Sequence, residues 1–482
     1  MSRRVAIDPV TRVEGHGKVT LMVDDDNRIT EARLHIVEFR GFEKFIQGRP
    51  YWELPLVVQR LCGICPVSHH LAAAKAIDQI AGATELTPAA LKLRRLMHFA
   101  QVLQSHALHF FHLAAPDLVF GFDSDVSRRN LVALIQQHEA LALQGVRIRK
   151  FGQQIIEAIS GKRIHGIAAI PGGMNAALDP GAVREFQDRV GDIKTWCEQT
   201  VRLVRKLYLQ NRPFHEAFGH TDASSLSIVG GADQLELYDG DFKVIDADGA
   251  LLHRHPARQY HSLLREQVKS WSYMKFPFLA DHSPATGWYR VGPLARLNTC
   301  CGIPTPLAEQ ARVDYLTTLG SPVQSPLAFH WARMIEALHC AEAIGSLLSD
   351  PDLSSDELRV QGDKCHEGIG VIEAPRGTLI HHYQINDDDQ VTMANLIVST
   401  THNNQAMNES IRQVAAQHLD GRSLTPELLN LVEVAIRAYD PCLSCATHAM
   451  GKMPLLLALQ STSGNLLQSL SRDADGHIQY AD

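Results

Sequence analysis

Hydrophobic positions change their period along this chain, and the period reports local structure. Near the N-terminus, Val19-Thr20-Leu21-Met22-Val23 and Leu34-His35-Ile36-Val37 read as strands either side of the turn segment Asp24-Asp25-Asp26-Asn27. After Trp52 the spacing becomes helical, over about 52–82 and again over about 87–115, with Thr87-Pro88 as the start signal of the second helix. Residues 183–207 carry one apolar stripe through Phe186, Val190, Ile193, Cys197, Val204 and Leu207. A second stripe runs through Leu327, Trp331, Met334, Ile335 and Leu338. Both are core-building patterns. Between them, segments 234–238 and 242–245 flank Asp239-Gly240-Asp241 and predict a β-hairpin insertion. Segments 377–383 and 394–398 predict further strands, followed by helices at about 402–418 and 426–438. The expected fold class is α+β and mainly helical: a central bundle of long helices with small sheets at its edges. No repeat or low-complexity linker divides the chain.

Composition narrows the function classes. The 482 residues are 45% hydrophobic and 21% charged, ordinary for a globular protein large enough to bury a substantial core. A net charge of −7 with no basic stripe argues against nucleic acid. No run of eighteen apolar residues predicts a membrane span, and no signal peptide is visible. Nine scattered cysteines, an odd number, do not form a disulfide framework, so a reducing cytoplasm is expected. Cys197 and Cys340 fall inside helical patterns and read as core thiols.

Four cysteines stand apart. Cys62-Gly63-Ile64-Cys65 follows Arg60-Leu61 and precedes His69, while Cys442-Leu443-Ser444-Cys445 follows Asp440-Pro441 and precedes His448. The pairs are separated by most of the protein, whereas zinc modules draw both pairs from one compact stretch. On spacing alone, structural zinc, a redox or catalytic metal, and unrelated pairs all remain open. Other segments carry chemistry only if they meet such a site. Asp8 to Gly17 packs Asp, Arg, Glu and His between glycines, and reads as a solvated turn unless a carboxylate reaches a metal thiolate. Glu373-Ala374-Pro375-Arg376-Gly377 can present an arginine on a rigid turn. Glu43 is most simply a surface charge beside Lys44.

Taken together, these segments resemble the large subunit of nickel–iron hydrogenases along almost the whole chain. The resemblance rests on Arg60-x-Cys62-Gly63-x-Cys65-x-x-x-His69, Asp440-Pro441-Cys442-x-x-Cys445-x-x-His448, Arg12-Val13-Glu14-Gly15-His16 and Ala374-Pro375-Arg376-Gly377. It implies that Cys62, Cys65, Cys442 and Cys445 hold nickel, with Cys65 and Cys445 bridging to an iron that carries cyanide and carbon monoxide. It gives His69 a hydrogen bond to a bridging cysteine, and makes Glu14 the proton carrier next to Cys442. Arg376 would sit above the open metal position, oriented by Asp440 and Asp117. Glu43, the backbone carbonyl near Leu396 and His448 would bind magnesium.

The resemblance also implies partners. Electrons must leave through a small subunit with an iron–sulfur cluster, because no further cysteine set here is spaced for one. The stretches Glu38 to Phe45, Cys65 to His70, Trp271 to Pro277 and Arg290 to Leu294 look most like the cytosolic branch that reduces NAD through diaphorase-type subunits holding FMN. The alternatives are a viologen-reducing or heterodisulfide-reductase-linked hydrogenase, a non-catalytic respiratory-complex relative, and a zinc-stabilised scaffold. No Gly-x-Gly-x-x-Gly follows a strand, so a nicotinamide site is not expected in this chain. Residues 1–448 are expected to form one hydrogenase domain. Residues 449–482 would be an extension removed by a maturation protease after His448.

Overall fold

A computed structural model of the chain describes residues 3–8, 10–26, 28–36, 38–125, 128–418 and 426–447, together with three C-terminal strands, Leu455–Gln460, Leu466–Arg472 and Ile478–Ala481. Its centre is a bundle in which the Pro88–Leu108 helix packs on Glu139–Ser160 and Phe329–Leu348, and Pro180–Gln210 lies along Phe329–Leu348. The helix starts are written locally. Thr87 accepts the Ala90 N–H at 3.2 Å and Asp179 accepts that of Ala182 at 2.9 Å, each followed by a proline that needs no intrahelical donor.

The stripe Phe186, Val190, Ile193, Cys197 and Val204 is buried as the pattern predicts. The Phe329–Leu348 helix differs. It is buried on every side from Phe329 to Glu342, so its polar face of His330, Arg333, Glu336 and His339 is internal as well. That face is tolerated because its charges are paired: Arg296 binds Glu336 (2.6 Å) and Glu373 (2.8 Å), and His106 binds Glu336 (3.0 Å).

Small antiparallel sheets sit around the bundle. Arg3–Ile7, Gly17–Val23 and Ile29–Ile36 form one, and Glu367–Ala374, Gly377–Ile385 and Val391–Ile397 another. The expected hairpin at 234–245 is not formed. Asp241–Ile245 pairs instead with Ser224–Val229 and Leu251–His255. The reason is local: the Glu236 carboxylate accepts the N–H groups of Leu237 and Tyr238 at 2.9 and 2.8 Å, which removes them from any ladder.

The helix expected over 52–82 is also broken. Short turns end at Leu61, and the Pro66–Ile80 helix begins only after the first cysteine pair. The Pro88–Leu108 helix continues as wider π turns over His109–Ala114 before Ala115–Phe120. The Pro66–Ile80 helix rests on the Glu367–Ala374 strand, with Lys75 and Gln79 bonded to the strand's backbone and direct main-chain contact at Gly368 and Gly370. A Cβ on Gly368 or Gly370 would lie 2.0 Å from the carbonyl oxygen of Ala76 or Ala72. Among the described residues no helix is long and apolar enough to cross a membrane.

Candidate metal centre

The fold brings the two distant cysteine pairs together. The sulfurs of Cys62, Cys65, Cys442 and Cys445 all lie within 4.8 Å of one another, and all four residues are buried. Cys62 Sγ is 3.2 Å and Cys445 Sγ 2.8 Å from Cys442 Sγ. Thiolates bound tetrahedrally to one metal at about 2.3 Å stand roughly 3.7 Å apart, so this set closes on a metal with sub-ångström adjustments. The Ile64 and Cys65 N–H groups point at Cys62 Sγ from 3.3 and 3.2 Å, as donors do towards a thiolate.

Electrostatics also ask for a cation. Hydrogen bonds from Cys442, Cys445, Cys62 and His69 draw the Cys65 thiol well below its usual value. Burial, with the neighbouring sulfurs, holds Cys442 and Cys445 well above theirs. Four thiolates at this spacing need a multivalent cation among them. The other buried thiols behave as core residues: burial alone pushes Cys197 up to about 12.

The N-terminal segment is pressed against the second pair. Gly15, at φ +84°, is so close to Leu443–Ser444 that a Cβ would lie 2.7 Å from the Ser444 nitrogen. Leu443 N–H donates to the Glu14 carbonyl at 3.0 Å. The Glu14 carboxylate therefore meets Cys442 Sγ at 3.0 Å, takes the Ser444 N–H at 3.1 Å and contacts Ser444 Oγ. Glu14 is half-buried, which places it between the sulfur and the surface.

Pro375 and Arg376 form the two-residue tip of the hairpin made by Glu367–Ala374 and Gly377–Ile385. The tip is internal, and Arg376 is only 3% exposed. Its guanidinium donates to Asp440 Oδ1 at 3.0 Å and Ser105 Oγ at 3.2 Å. Burial works against its charge, yet Asp440 and the cysteines raise its pKa well above the usual value. Asp440 itself sits at φ +54° before Pro441, a backbone outlier of the kind found at functional sites. A small cavity of about 10 Å³ lies beside Cys65, Cys442 and Arg376, with Leu379, Val398 and Thr400 also on its wall.

His69 faces Cys65 and contacts His381 at 3.1 Å, and His381 in turn meets the Tyr383 hydroxyl at 2.5 Å. Asp117 does not orient Arg376. Its two oxygens are taken by Arg12 and Arg437, each at 2.6 Å, and the second partner of Arg376 is Ser105. Asp117 thereby ties the N-terminal segment to the Pro426–Ala438 helix, to which Thr11 also binds through Glu433 (2.6 Å).

Glu43 is not a surface charge. It is 8% exposed, takes the Leu396 N–H at 2.9 Å rather than meeting a carbonyl, and faces Lys275 Nζ at 3.9 Å. Burial raises Glu43 to about 7, partly offset by Lys275 and the Leu396 amide. His448 lies outside the described residues. The sequence reading missed Ser105, Arg437, His381 and the Arg296–Glu336–Glu373 set. Arg296 and Glu336 lie in ordinary-looking helix patterns, and only their burial marks them.

The comparisons agree with this geometry. The nickel-dependent hydrogenase family matches residues 40–126 and 242–448, and a HoxL-like family matches residues 4–39. The chain is 43% identical to the NAD-reducing hydrogenase HoxS subunit beta of Cupriavidus necator, covering 98% of this chain and 100% of that protein. It is 37% identical to a subunit of the vhc F420-non-reducing hydrogenase of Methanococcus voltae, covering 96% and 99%. A solved NAD+-reducing [NiFe]-hydrogenase in the H2-reduced state superimposes with a TM-score of 0.91 at 56% identity, over 92% of this chain and 99% of that one. The Ni-Fe-Se hydrogenase of D. vulgaris Hildenborough shares the fold at 24% identity, with a TM-score of 0.76 over 93% and 100%. Four sulfurs from opposite ends of the sequence and a family match over most of its length lead to one conclusion: the chain belongs to the nickel-dependent hydrogenases, oxidoreductases that act on H2 at a nickel–iron site.

Proposed function

We propose that this chain is the catalytic subunit of a cytoplasmic, NAD-linked hydrogenase complex. The observation that carries the site is the convergence of the four cysteines, with Glu14 and Arg376 beside them. When bound, the nickel–iron centre splits dihydrogen heterolytically and passes on two electrons.

In this reading Cys62, Cys65, Cys442 and Cys445 would hold nickel, Cys62 and Cys442 as terminal ligands, and Cys65 and Cys445 would also bind the iron. The lining of the small cavity beside Cys65 has the chemistry that an iron with small diatomic ligands would need. Arg376 and Thr400 offer donors of the kind cyanide accepts, while Leu379 and Val398 give carbon monoxide an apolar wall. His69, held against His381, orients the Cys65 sulfur. Arg376, held by Asp440 and Ser105, fixes a positive charge over the reacting side without needing to move. The Glu14 carboxylate accepts a proton from Cys442 Sγ across 3.0 Å and hands it towards the surface, with Ser444 holding its other oxygen in place.

Electrons leave to a small subunit bearing an iron–sulfur cluster, then through diaphorase-type subunits with FMN to NAD. The similarity to the NAD-reducing relative and to the NAD+-reducing structure supports that acceptor over the heterodisulfide-linked alternative. Residues 449–482 are a maturation extension, cleaved after His448 by a dedicated protease. The end of the family match at residue 448 supports that boundary.

The test is metal analysis and turnover of the complex purified without air. Near-equal nickel and iron, with H2-dependent NAD+ reduction, is the expected result. Zinc in place of nickel removes the hydrogenase reading, and H2-dependent dye reduction without NAD+ reduction removes the NAD assignment.

A further inference from the structure

Three buried side chains stand in a row behind the cysteine centre, and only the first of them faces it. His69 comes one turn after Cys65 on the Pro66–Ile80 helix. His381 and Tyr383 are alternate residues of the Gly377–Ile385 strand and share one of its faces. His381 Nε2 lies 3.1 Å from His69 Nδ1, and His381 Nδ1 lies 2.5 Å from the Tyr383 hydroxyl. None of the three is more than 1% exposed. Because His69 Nδ1 is engaged by His381, the nitrogen left for the Cys65 sulfur is Nε2, which is buried and has no other hydrogen-bond partner among the described residues.

A neutral imidazole has one N–H and one bare nitrogen, so with both rings neutral the hydrogens along such a row all point one way. Pointing towards the centre, the Tyr383 O–H donates to His381 Nδ1, the His381 Nε2–H donates to His69 Nδ1, and His69 turns an N–H to Cys65. Pointing away, His69 turns a bare lone pair to that sulfur, and the Tyr383 hydrogen needs a different acceptor. Burial keeps Tyr383 protonated, well above the usual phenol range. Among the described residues its hydroxyl bonds only to His381, and its ring lies in an apolar cluster with Leu54, Ile77 and Leu396. A buried hydroxyl hydrogen with one acceptor in reach sets the direction of the row. A thiolate, which accepts hydrogen bonds, asks for the same direction.

We propose that Tyr383 is a positioning residue for the metal centre, its hydroxyl fixing the tautomers of His381 and His69 so that His69 presents an N–H to the Cys65 sulfur. This rests on the hydrogenase reading, in which Cys65 also binds the iron. A donor on a bridging sulfur draws electron density from the metal that sulfur holds, so losing the donor makes the iron richer in electrons. Tyr383 touches no cysteine of the centre and acts only through the two rings.

The test is infrared spectroscopy of the complex purified without air, with nickel and iron measured in the same sample. The stretching bands of carbon monoxide and cyanide on the iron report its electron density. Tyr383→Phe removes one oxygen and frees the row to reverse. The expected result is parental nickel and iron, a carbon monoxide band moved to lower wavenumber, and H2 turnover per nickel about tenfold below the parent. Unmoved bands in a metal-loaded variant overturn the proposal. His381→Phe keeps a ring but cuts the row, so it is expected to move the band in the same direction, and adding Tyr383→Phe to it is expected to move nothing further. A further shift in the double variant shows that the hydroxyl acts through packing and overturns the relay. Where Tyr383→Phe does not assemble, His381→Phe alone decides, and unmoved bands there overturn the proposal. A parent complex without nickel, or without these bands, sinks the hydrogenase assignment, whereas a loaded parent with unmoved bands in the variants sinks only the role of Tyr383.

Discussion

Replacing Glu14 with glutamine isolates proton movement from everything else at the centre. The wild-type carboxylate has one oxygen 3.0 Å from Cys442 Sγ and also receives the Ser444 N–H and hydroxyl. Glutamine keeps the size and one acceptor oxygen, and the serine hydroxyl can turn to accept from the new amide. The structural loss is thus one charge-assisted hydrogen bond exchanged for a neutral one, about 1 kcal/mol. For a chain this long that lowers the melting temperature by roughly 2–4 °C at most. The chemical loss is larger, because an amide at neutral pH neither accepts nor releases the proton. Removing a positioned acid–base group costs about 10²–10⁴-fold in rate. The assay is hydrogen–deuterium exchange between D2 and water, run beside metal analysis. Glu14→Gln is expected to retain nickel and iron at parental levels while exchange falls by that factor. Parental exchange rates in a metal-loaded variant would show that the proton leaves by another route. Loss of nickel would show that Glu14 is a structural brace.

Arg376→Lys keeps the charge but loses the planar fork that reaches Asp440 and Ser105 together; H2 turnover per nickel is expected to fall about 10²-fold with metals intact, and near-parental turnover would leave Arg376 a packing residue. Asp117→Asn leaves the buried Arg437 with Glu433 alone as a carboxylate partner, so thermal stability is expected to fall by roughly 3 kcal/mol while turnover per nickel stays near parental; a fall as deep as that of Arg376→Lys would restore Asp117 to the reaction site. Glu336 is fully buried, which opposes its charge, yet Arg296 and His106 outweigh burial and hold its pKa at about 2 instead of 4.5. A carboxylate held below its unfolded value stabilises fully above pH 4.5 and loses that contribution as pH falls towards 2, about 3 kcal/mol in all. The gap in melting temperature between the parent and Glu336→Gln should therefore narrow between those pH values, and a constant gap would contradict the assignment.

Much of this site was legible because it is held in short contiguous motifs. Cys62 to His69, Asp440 to Cys445, Glu14 and the Pro375-Arg376 turn each carry their chemistry within a few residues, and the structure brings all of them together. What escaped the sequence depends on long-range burial. Asp117 looks like a partner for Arg376 by position, but Arg12 and Arg437, 105 and 320 residues away from it, claim both its oxygens. The Phe329–Leu348 stripe shows only one of the helix's buried faces, since nothing local tells that Arg333 and Glu336 on the other face meet protein rather than water. Glu43 next to Lys44 looks paired along the chain, whereas the cation that faces it in the fold is Lys275, just ahead of the Phe276–Leu279 strand. Side-chain competition hid the rest: Glu236 capturing its own backbone turns an apparent strand into an irregular crossing.

The glycine contacts at 368 and 370 fix a dimension. The Pro66–Ile80 helix carries Cys65 at its head, and the Glu367–Ala374 strand runs on into Arg376. At these two glycines main chain lies directly on main chain, so no rotamer there can take up error in the gap between sulfur and guanidinium. A methyl at either glycine would start 2.0 Å from a carbonyl oxygen and would force the two elements apart by more than an ångström. Misplacement on that scale can cost on the order of 10²-fold in rate. Two residues that touch neither metal ligand nor substrate thus act as a gauge block, setting the working clearance of the centre from the far side of the helix.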